Sequence, residues 1–414
     1  MVFSCKKQGV CLLMSKMSDD DKNNDKCKGC FNGTIQKFIL LAFKVNNGCK
    51  LLVICFFIVL VFFSILLIID SRNPKLVIPR YNHSAIVLQD GRILITGGET
   101  IINRKSIKLN TAEIYDPKTK KCTLIKNKMN YERSNHSSVL LPNGNVLIIG
   151  GGSQIQEIFD AKNTNFLKHS ASSDIKDIAI AVKINDKSII IVSPSNNIIE
   201  KFDIENNKFK KIGILYGLNT SSKRFLNYNG ILFFPIEKFN TADLSIQPKE
   251  KIFVSYYDYK KNIIGNITKP QSLFDFCVGN MISEVNNELV HFCYKNKLYT
   301  EIYDFKSHKF IKKGEPSIFT PKIDYITLKY NDVIILLGGH KFCGPLKPSN
   351  TIDVYDSQTN RIYEKFFNKI NAAKGYSSIQ TEKEIIIIGG LIAPYEVTNE
   401  IQTIEIERIL KWLR

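Results

Sequence analysis

Apolar residues follow two different patterns along this chain. Residues 51–69, LLVICFFIVLVFFSILLII, form one uncharged block bounded by Lys50 and Asp70. From residue 80 onward, short apolar runs alternate with polar turns. The block is nineteen residues long. At about 1.5 Å per residue it reaches about 28 Å, the thickness of a bilayer core, which predicts one transmembrane helix. A cleaved signal peptide fits less well. The preceding stretch is 50 residues long, the apolar core is too long, and no small-x-small site precedes Asp70-Ser71-Arg72. A shorter apolar stretch, Phe38 to Phe43, cannot span.

The runs after residue 80 come in pairs split by tight turns. Ser84-to-Leu88 and Ile93-to-Thr96 flank Asp90-Gly91, and Val139-to-Leu141 and Val146-to-Ile149 flank Asn143-Gly144. Asn185-Asp186, Asn229-Gly230 and Asn331-Asp332 split three further pairs. Asn-Gly and Asp-Gly supply the positive φ of two-residue hairpins. Downstream of such pairs an aromatic is followed by Asp, at Tyr115-Asp116, Phe159-Asp160, Phe202-Asp203, Tyr257-Asp258, Tyr303-Asp304 and Tyr355-Asp356. Ile406-Glu407 reads as a degraded seventh copy, giving spacings of 44, 43, 55, 46, 52 and 51 residues. Seven residues after each aromatic stands another apolar residue: Cys122, Phe166, Phe209, Ile264, Phe310 and Ile362, with Leu413 in the last copy. Polar turn formers fill the gap in the first six copies, as in DPKTKK, which predicts a second hairpin per unit. Four strands in roughly 50 residues is a propeller blade. Seven blades are counted; six would require merging the irregular fourth and fifth.

The second strand ends in a glycine pair at Gly97-Gly98, Gly151-Gly152, Gly338-Gly339 and Gly389-Gly390, and an Arg-x-x-His lead-in occurs at Arg80 to His83 and Arg133 to His136. Apolar run, double glycine, spacer, aromatic and a later large apolar residue together resemble the kelch repeat. The resemblance covers residues 80–414. It departs from the pattern in three ways: units three to five lack the double glycine, the usual fourth-strand Trp is replaced by Phe, Ile, Cys or Leu, and the last unit ends in ERILKWLR. It implies an all-β, kelch-like β-propeller of about seven four-stranded blades, preceded by the transmembrane helix. The organisation expected is a basic, Cys-containing tail (1–50), the helix (51–69), a linker (70–79) and the propeller (80–414). The glycines have a structural reading, since Gly permits close backbone approach and unusual φ where blades crowd the channel. Kelch-like folds also host sugar-acid isomerases and copper oxidases, so a carbohydrate-active enzyme is the alternative to a non-enzymatic protein- or glycan-binding platform.

Composition changes this picture little. The net charge is +18, yet Lys supplies 48 of the 57 basic residues. No Arg cluster with interleaved aromatics marks a nucleic-acid surface, so no nucleic-acid partner is expected. Lys37, Lys44 and Lys50 before the block balance Arg72, Lys75 and Arg80 after it. The further lysines of the tail make tail-in, propeller-out the expected orientation, with the propeller extracytoplasmic. His83 and His136 occupy equivalent places in consecutive units, which points to packing rather than ligation. No metal-ligand spacing is found: Cys27-Lys-Gly-Cys30 is a lone pair of thiols. No cofactor and no catalytic residue is expected. Sequons stand at Asn82, Asn135, Asn219 and Asn266, with Asn32 in the tail. Long inserts follow the second strands of units one, six and seven, which are neighbours once the ring closes, and unit four carries a fourth. Loops on a rigid scaffold carry binding residues. Arg104, Lys105, His340, Lys341, Phe342 and Tyr395 are therefore the expected partner-binding residues.

Overall fold

The computed structural model describes residues 60–61 and 74–411, apart from 216–224, 236–249, 271–277, 287, 295–297, 305–308, 314–321, 342–346, 350, 367–369 and 371–373. The expected membrane helix at 51–69 falls outside the described residues except for Leu60 and Val61, which are helical. Among the described residues, no helix is long and apolar enough to cross a membrane.

The pairs of apolar runs build antiparallel sheets arranged as the seven blades of an all-β propeller. Blade one comprises Ser84–Val87, Ile93–Thr96, Ala112–Asp116 and Lys121–Leu124; blade two Ser137–Leu140, Val146–Ile149, Ile155–Asp160 and Asn165–Ser172. Blade three comprises Ile180–Asn185, Ser188–Val192, Ile198–Asp203 and Lys208–Ile214; blade four Leu226–Tyr228, Ile231–Pro235, Glu250–Asp258 and Ile263–Pro270. Blade five comprises Val278–Val285, Glu288–Tyr294, Leu298–Asp304 and Lys309–Lys313; blade six Lys322–Tyr330, Val333–Lys341, Thr351–Asp356 and Arg361–Phe366. Blade seven has Ser377–Gln380, Glu384–Ile388 and Ile401–Glu405. Blade five is complete, so blades four and five do not merge. Its first turn passes through Asn286 at φ 53°, doing without the glycine that marks other hairpins.

The seven-residue spacing is a cross-strand pairing. Tyr115 faces Cys122, Phe159 faces Phe166, Phe202 faces Phe209, Tyr257 faces Ile264, Tyr303 faces Phe310 and Tyr355 faces Ile362. The aromatics are all buried. The Asp after them folds the turn between the paired residues: Asp116 accepts from Lys118 N–H at 2.9 Å and the Thr119 hydroxyl at 2.9 Å, and Asp356 accepts likewise from Gln358 and Thr359. The residue five after the aromatic then takes left-handed φ, at Lys120, Thr164, Asn207, Asn262 and Asn360. In blades four and six that Asn also accepts from the tyrosine hydroxyl, at 3.0 Å from Tyr257 and 2.9 Å from Tyr355.

Apolar clusters sit between neighbouring blades all round the ring. Leu94 and Ile114 of blade one meet Val146, Ile148 and Phe159 of blade two. The same arrangement recurs at each interface up to Val333, Ile335 and Val354 of blade six against Ile385, Ile387 and Ile404 of blade seven. Ile386, Ile388 and Ile401 then pack on Ile93, Ile95 and Tyr115, returning to blade one. This register corrects the seventh copy of the repeat. Ile385 pairs with Ile404 and Glu384 with Glu405, as Ile334 pairs with Tyr355 in blade six, so Ile404-Glu405 is the equivalent dipeptide, not Ile406-Glu407. The stretch TIEIE contains the same dipeptide twice, and only strand pairing separates them.

After Glu405 the chain turns into a short helix, α1 (Ile406–Leu410), which buries Ile406 and Ile409. No fourth strand of blade seven follows among the described residues. Pro74 to Leu76 lie there instead: Leu76 N–H donates to Asn399 O at 2.7 Å and Ile401 N–H to Pro74 O at 2.8 Å. Gly389 N–H, on the other side of this strand, bonds Glu400 O at 3.0 Å. Residues 74–76 therefore occupy the side on which the fourth strand of other blades pairs. The propeller's contacts thus reach upstream of residue 80, into the stretch expected as linker.

Candidate functional site

The connections between second and third strands, and those between blades, share one face of the ring. There the double glycines do structural work. Gly98 N–H donates to Arg133 O at 2.8 Å and Gly390 N–H to Arg80 O at 2.9 Å, joining one blade to the lead-in of the next. A Cβ on Gly98, at φ +91°, would stand 2.6 Å from Tyr81 O and 2.8 Å from the His83 Cβ. Only glycine fits that conformation and that gap.

The lead-in residues are equally committed to packing. His83 and His136 are buried, and their Cε1 atoms lie 3.1 and 2.8 Å from where a Cβ would project from Gly389 and Gly97 of the preceding blade. The His136 Nε2 bonds the Thr96 hydroxyl across that interface at 2.8 Å. Arg80 donates to Glu113 at 2.6 Å and to Gly97 O at 2.8 Å; Arg133 donates to Glu157 at 2.8 Å and to Gly150 O at 2.6 Å. Both pairs are fully buried within a blade. The carboxylates belong to a recurring position two residues before the aromatic: Glu113, Glu157, Glu200, Ser255, Glu301, Asp353 and Gln402. The carboxylates of blades three and five also have local partners. Glu200 accepts from Ser173 and from Asp174 N–H, and Glu301 lies 3.3 Å from His291. The sequence expectation missed this position, although Glu-x-aromatic-Asp is legible in blades one, two, three and five.

Among the described residues, two hairpins stand exposed on this face. In blade one, Glu99–Ile102 pairs with Lys105–Lys108 around the turn Asn103-Arg104, both at positive φ (51° and 62°). In blade seven, Leu391–Ala393 pairs with Glu396–Val397, with Tyr395 at φ 66° in the turn. These inserts, expected only as long loops, are strands. The β-branched run Thr100-Ile101-Ile102, followed by the turn former Asn103, was the available signal.

Glu99 anchors the first hairpin. Its carboxylate accepts from Tyr81 at 2.9 Å, from Ser106 at 2.5 Å and from the Ser134 hydroxyl of the blade-two lead-in. Burial raises its proton affinity, but hydrogen bonds from Ser106, Ser134, Tyr81 and Asn82 outweigh that and hold it below the usual carboxylate range. A carboxylate so saturated with donors positions a hairpin; it is poorly suited to accept a proton.

With its acidic residue held by hydroxyl donors, the hairpin leaves Arg104, Lys105 and Lys108 exposed. Ile102 and Ile107 share one face and are 53% and 42% exposed, and Tyr395 on the other hairpin is 64% exposed. Of the residues expected from sequence, Arg104, Lys105 and Tyr395 therefore lie exposed at hairpin turns. His340 sits half-buried in a blade-six strand opposite Ile323. Phe342 and the side chain of Lys341 fall outside the described residues, as do most of the blade-six insert and the blade-four insert. The sequence did not single out Ile102 and Ile107.

Other candidate chemistry is absorbed by the fold. The Cys122 thiol donates to Glu113 at 3.1 Å, and burial beside that carboxylate pushes its pKa far up, leaving an inert thiol. Asn82 and Asn135 hold backbone bonds from blade to blade, Asn82 N–H to Gly375 O at 2.7 Å and Asn135 N–H to Asn82 O at 2.9 Å. Asn266 accepts from Ser255 at 2.7 Å within its blade. Asn219, Asn32, Cys27 and Cys30 fall outside the described residues. Among the described residues no group of three or more His, Cys, Asp or Glu is arranged to hold a metal.

No family model and no curated protein matches the chain. A solved structure titled "Structure of YjhT" is 12% identical, with 71% of this chain and 99% of that one covered and a TM-score of 0.43.

Proposed function

We propose that this chain is a membrane-tethered propeller of the kelch type that serves as a non-enzymatic platform for a protein or glycan, and that the hairpins of blades one and seven form its binding wall. The observation that carries this reading is the composition of the wall: exposed Ile102, Ile107 and Tyr395 beside Arg104 and Lys105, on hairpins fixed to a closed ring. Aromatic and Arg residues are the usual anchors of an interface, and a rigid support limits the entropy lost on binding. The buried charges of this face support a non-catalytic reading, because Arg80, Arg133, Glu113 and Glu157 are engaged by one another and by main-chain groups of their own blades. The tether rests on the uncharged block at 51–69.

Proximity labelling from the full-length chain, followed by pull-down of the labelled partner, tests the reading. Combined alanine substitution of Ile102, Arg104, Lys105, Ile107 and Tyr395 is expected to reduce capture more than tenfold. Substitutions at exposed Lys162 and Lys187 of blades two and three are expected to leave it unchanged. Equal losses from both sectors would refute the wall.

A further inference from the structure

Resting on the wall reading, we propose that the outer edge of strand Lys105–Lys108 binds an extended acidic segment of a partner protein as an added β-strand.

The two edges of the blade-one hairpin differ. A two-residue turn makes Ile102 and Lys105 a mutually hydrogen-bonded pair, and antiparallel alternation then makes Thr100 and Ile107 the next such pair. The main-chain N–H and C=O groups of Glu99 and Ile101 on one strand, and of Ser106 and Lys108 on the other, must point outward. On the first edge this is seen directly: Glu99 N–H donates to Tyr81 O at 2.8 Å, and Tyr81 N–H to Glu99 O at 2.9 Å. Further along, Leu109 N–H donates to Gly98 O at 2.9 Å, the inward direction that the same alternation requires, while Gly98 N–H turns to Arg133 O at 2.8 Å. The second edge has no strand beside it among the described residues, and its four residues are all exposed. An exposed strand edge is a template for another chain, and strand addition is a recurrent mode of peptide recognition.

The side chains on that edge select the occupant. Lys105 and Lys108 stand on the strand and Arg104 in its turn, while Glu99 is held inward by Tyr81, Ser106 and Ser134. Lysines on an edge repel a second copy of the same edge and attract a strand of opposite charge. Ile102, Lys105 and Ile107 lie on one face and Lys108 on the other, so a segment alternating apolar and acidic residues would set apolar side chains beside Ile107 and acidic ones beside Lys108, with Arg104 and Lys105 adding to the positive field. A protein strand is favoured over a glycan because the edge offers paired main-chain donors and acceptors at strand spacing.

The test uses the full-length chain in detergent micelles and a fluorescein-labelled ten-residue peptide of alternating glutamate and valine, read by fluorescence anisotropy. Saturable binding is expected. At least tenfold weaker binding is expected for the same peptide with a fully N-methylated backbone, which keeps its charge and cannot pair as a strand. A comparable loss is expected for the protein variant Arg104→Glu/Lys105→Glu, and none for Lys162→Glu/Lys187→Glu, which carries the same charge change elsewhere. Equal binding of the N-methylated peptide would overturn strand addition while leaving a charged wall in place. Insensitivity to Arg104→Glu/Lys105→Glu would remove the wall itself. Failure of the peptide to bind, with an acidic oligosaccharide binding instead, would overturn the proposal in favour of a glycan.

Discussion

Arg133 and Glu157 show what a buried charge requires at the scale of one residue. Both side chains are fully buried, and the guanidinium is satisfied by Glu157, Gly150 O and Ile155 O, the carboxylate by Arg133 and by Asn130 through its N–H and its side chain. Breaking such a pair from one side leaves an uncompensated buried charge and costs about 3–5 kcal/mol, whereas an apolar replacement of both partners is often tolerated. Urea unfolding should therefore find Arg133→Met severely destabilised and Arg133→Met/Glu157→Leu closer to the native protein; a double variant worse than the single would contradict this account. The aspartates of the outer turns carry a different, pH-dependent contribution. Hydrogen bonds from Lys118 and Thr119 hold Asp116 below its ordinary value, and bonds from Asn163 and Asn206 do the same for Asp160 and Asp203. A carboxyl whose folded pKa is depressed stabilises the fold above its unfolded value, about 4, and loses that contribution as pH falls through the folded value. The triple variant Asp116→Asn/Asp160→Asn/Asp203→Asn should show a flatter decline of melting temperature between pH 5 and pH 2, roughly the window in which these groups titrate.

At the scale of elements, hairpins with an Asn-Gly or Asp-Gly turn were legible because a chemical requirement, positive φ, selects those residues. The first turn of blade five was missed, although Asn286 meets the requirement as Asn331 does in blade six. The aromatic-to-apolar spacing was legible because it is a strand register, and the Asp between them because it closes the turn. The wall was legible only as insert length. Its blade-one hairpin, and the inward direction of Glu99, depend on contacts with Tyr81 and Ser134 that lie 18 and 35 residues away along the chain. The insert is separable from the fold. Gly98 O already accepts from Leu109 N–H, the bond that closes a four-residue turn, so residues 99–108 can be replaced by a two-residue Asn-Gly turn. Thermal unfolding should register a loss of a few kcal/mol, the sum of the two main-chain bonds with Tyr81 and the three side-chain bonds to the Glu99 carboxylate at about 0.5–1.5 kcal/mol each. Partner capture should disappear. A large loss of stability would mean that the hairpin belongs to the core rather than to the binding face.

At the scale of the whole molecule, the ring closes between blades seven and one, and the closing segment lies just upstream of the first blade. Leu76 is buried in the apolar cluster shared by Ile386, Ile388 and Ile401 of blade seven with Ile93, Ile95 and Tyr115 of blade one. On one side the 74–76 segment bonds Asn399 and Ile401, including Asn399 Nδ2 to Leu76 O at 3.2 Å. On the other, Val77 and Ile78 donate their N–H groups to Glu113 at 2.7 and 3.0 Å, on the carboxylate that also neutralises Arg80. The repeat pattern begins at Arg80, so this clasp carries no sequence signal; it exists because Ile406–Leu410 turns helical and leaves the outer side of the last blade open. Two truncations separate its contribution from that of the residues before it. A chain starting at Pro74 keeps every clasp contact and should unfold in one cooperative step. A chain starting at Arg80 loses the burial of Leu76, worth about 1.5–3 kcal/mol, and two donors to a buried carboxylate, worth about 1.5–3 kcal/mol each. It should be less stable by several kcal/mol, with amide exchange accelerated first in Ile401–Glu405 and Ala112–Asp116, the strands flanking the opening. Leu76→Ala in the longer chain should reproduce about 2–5 kcal/mol of the loss. Equal stability of the two truncations would show that the clusters between blades hold the ring unaided, and that residues 74–78 are linker after all.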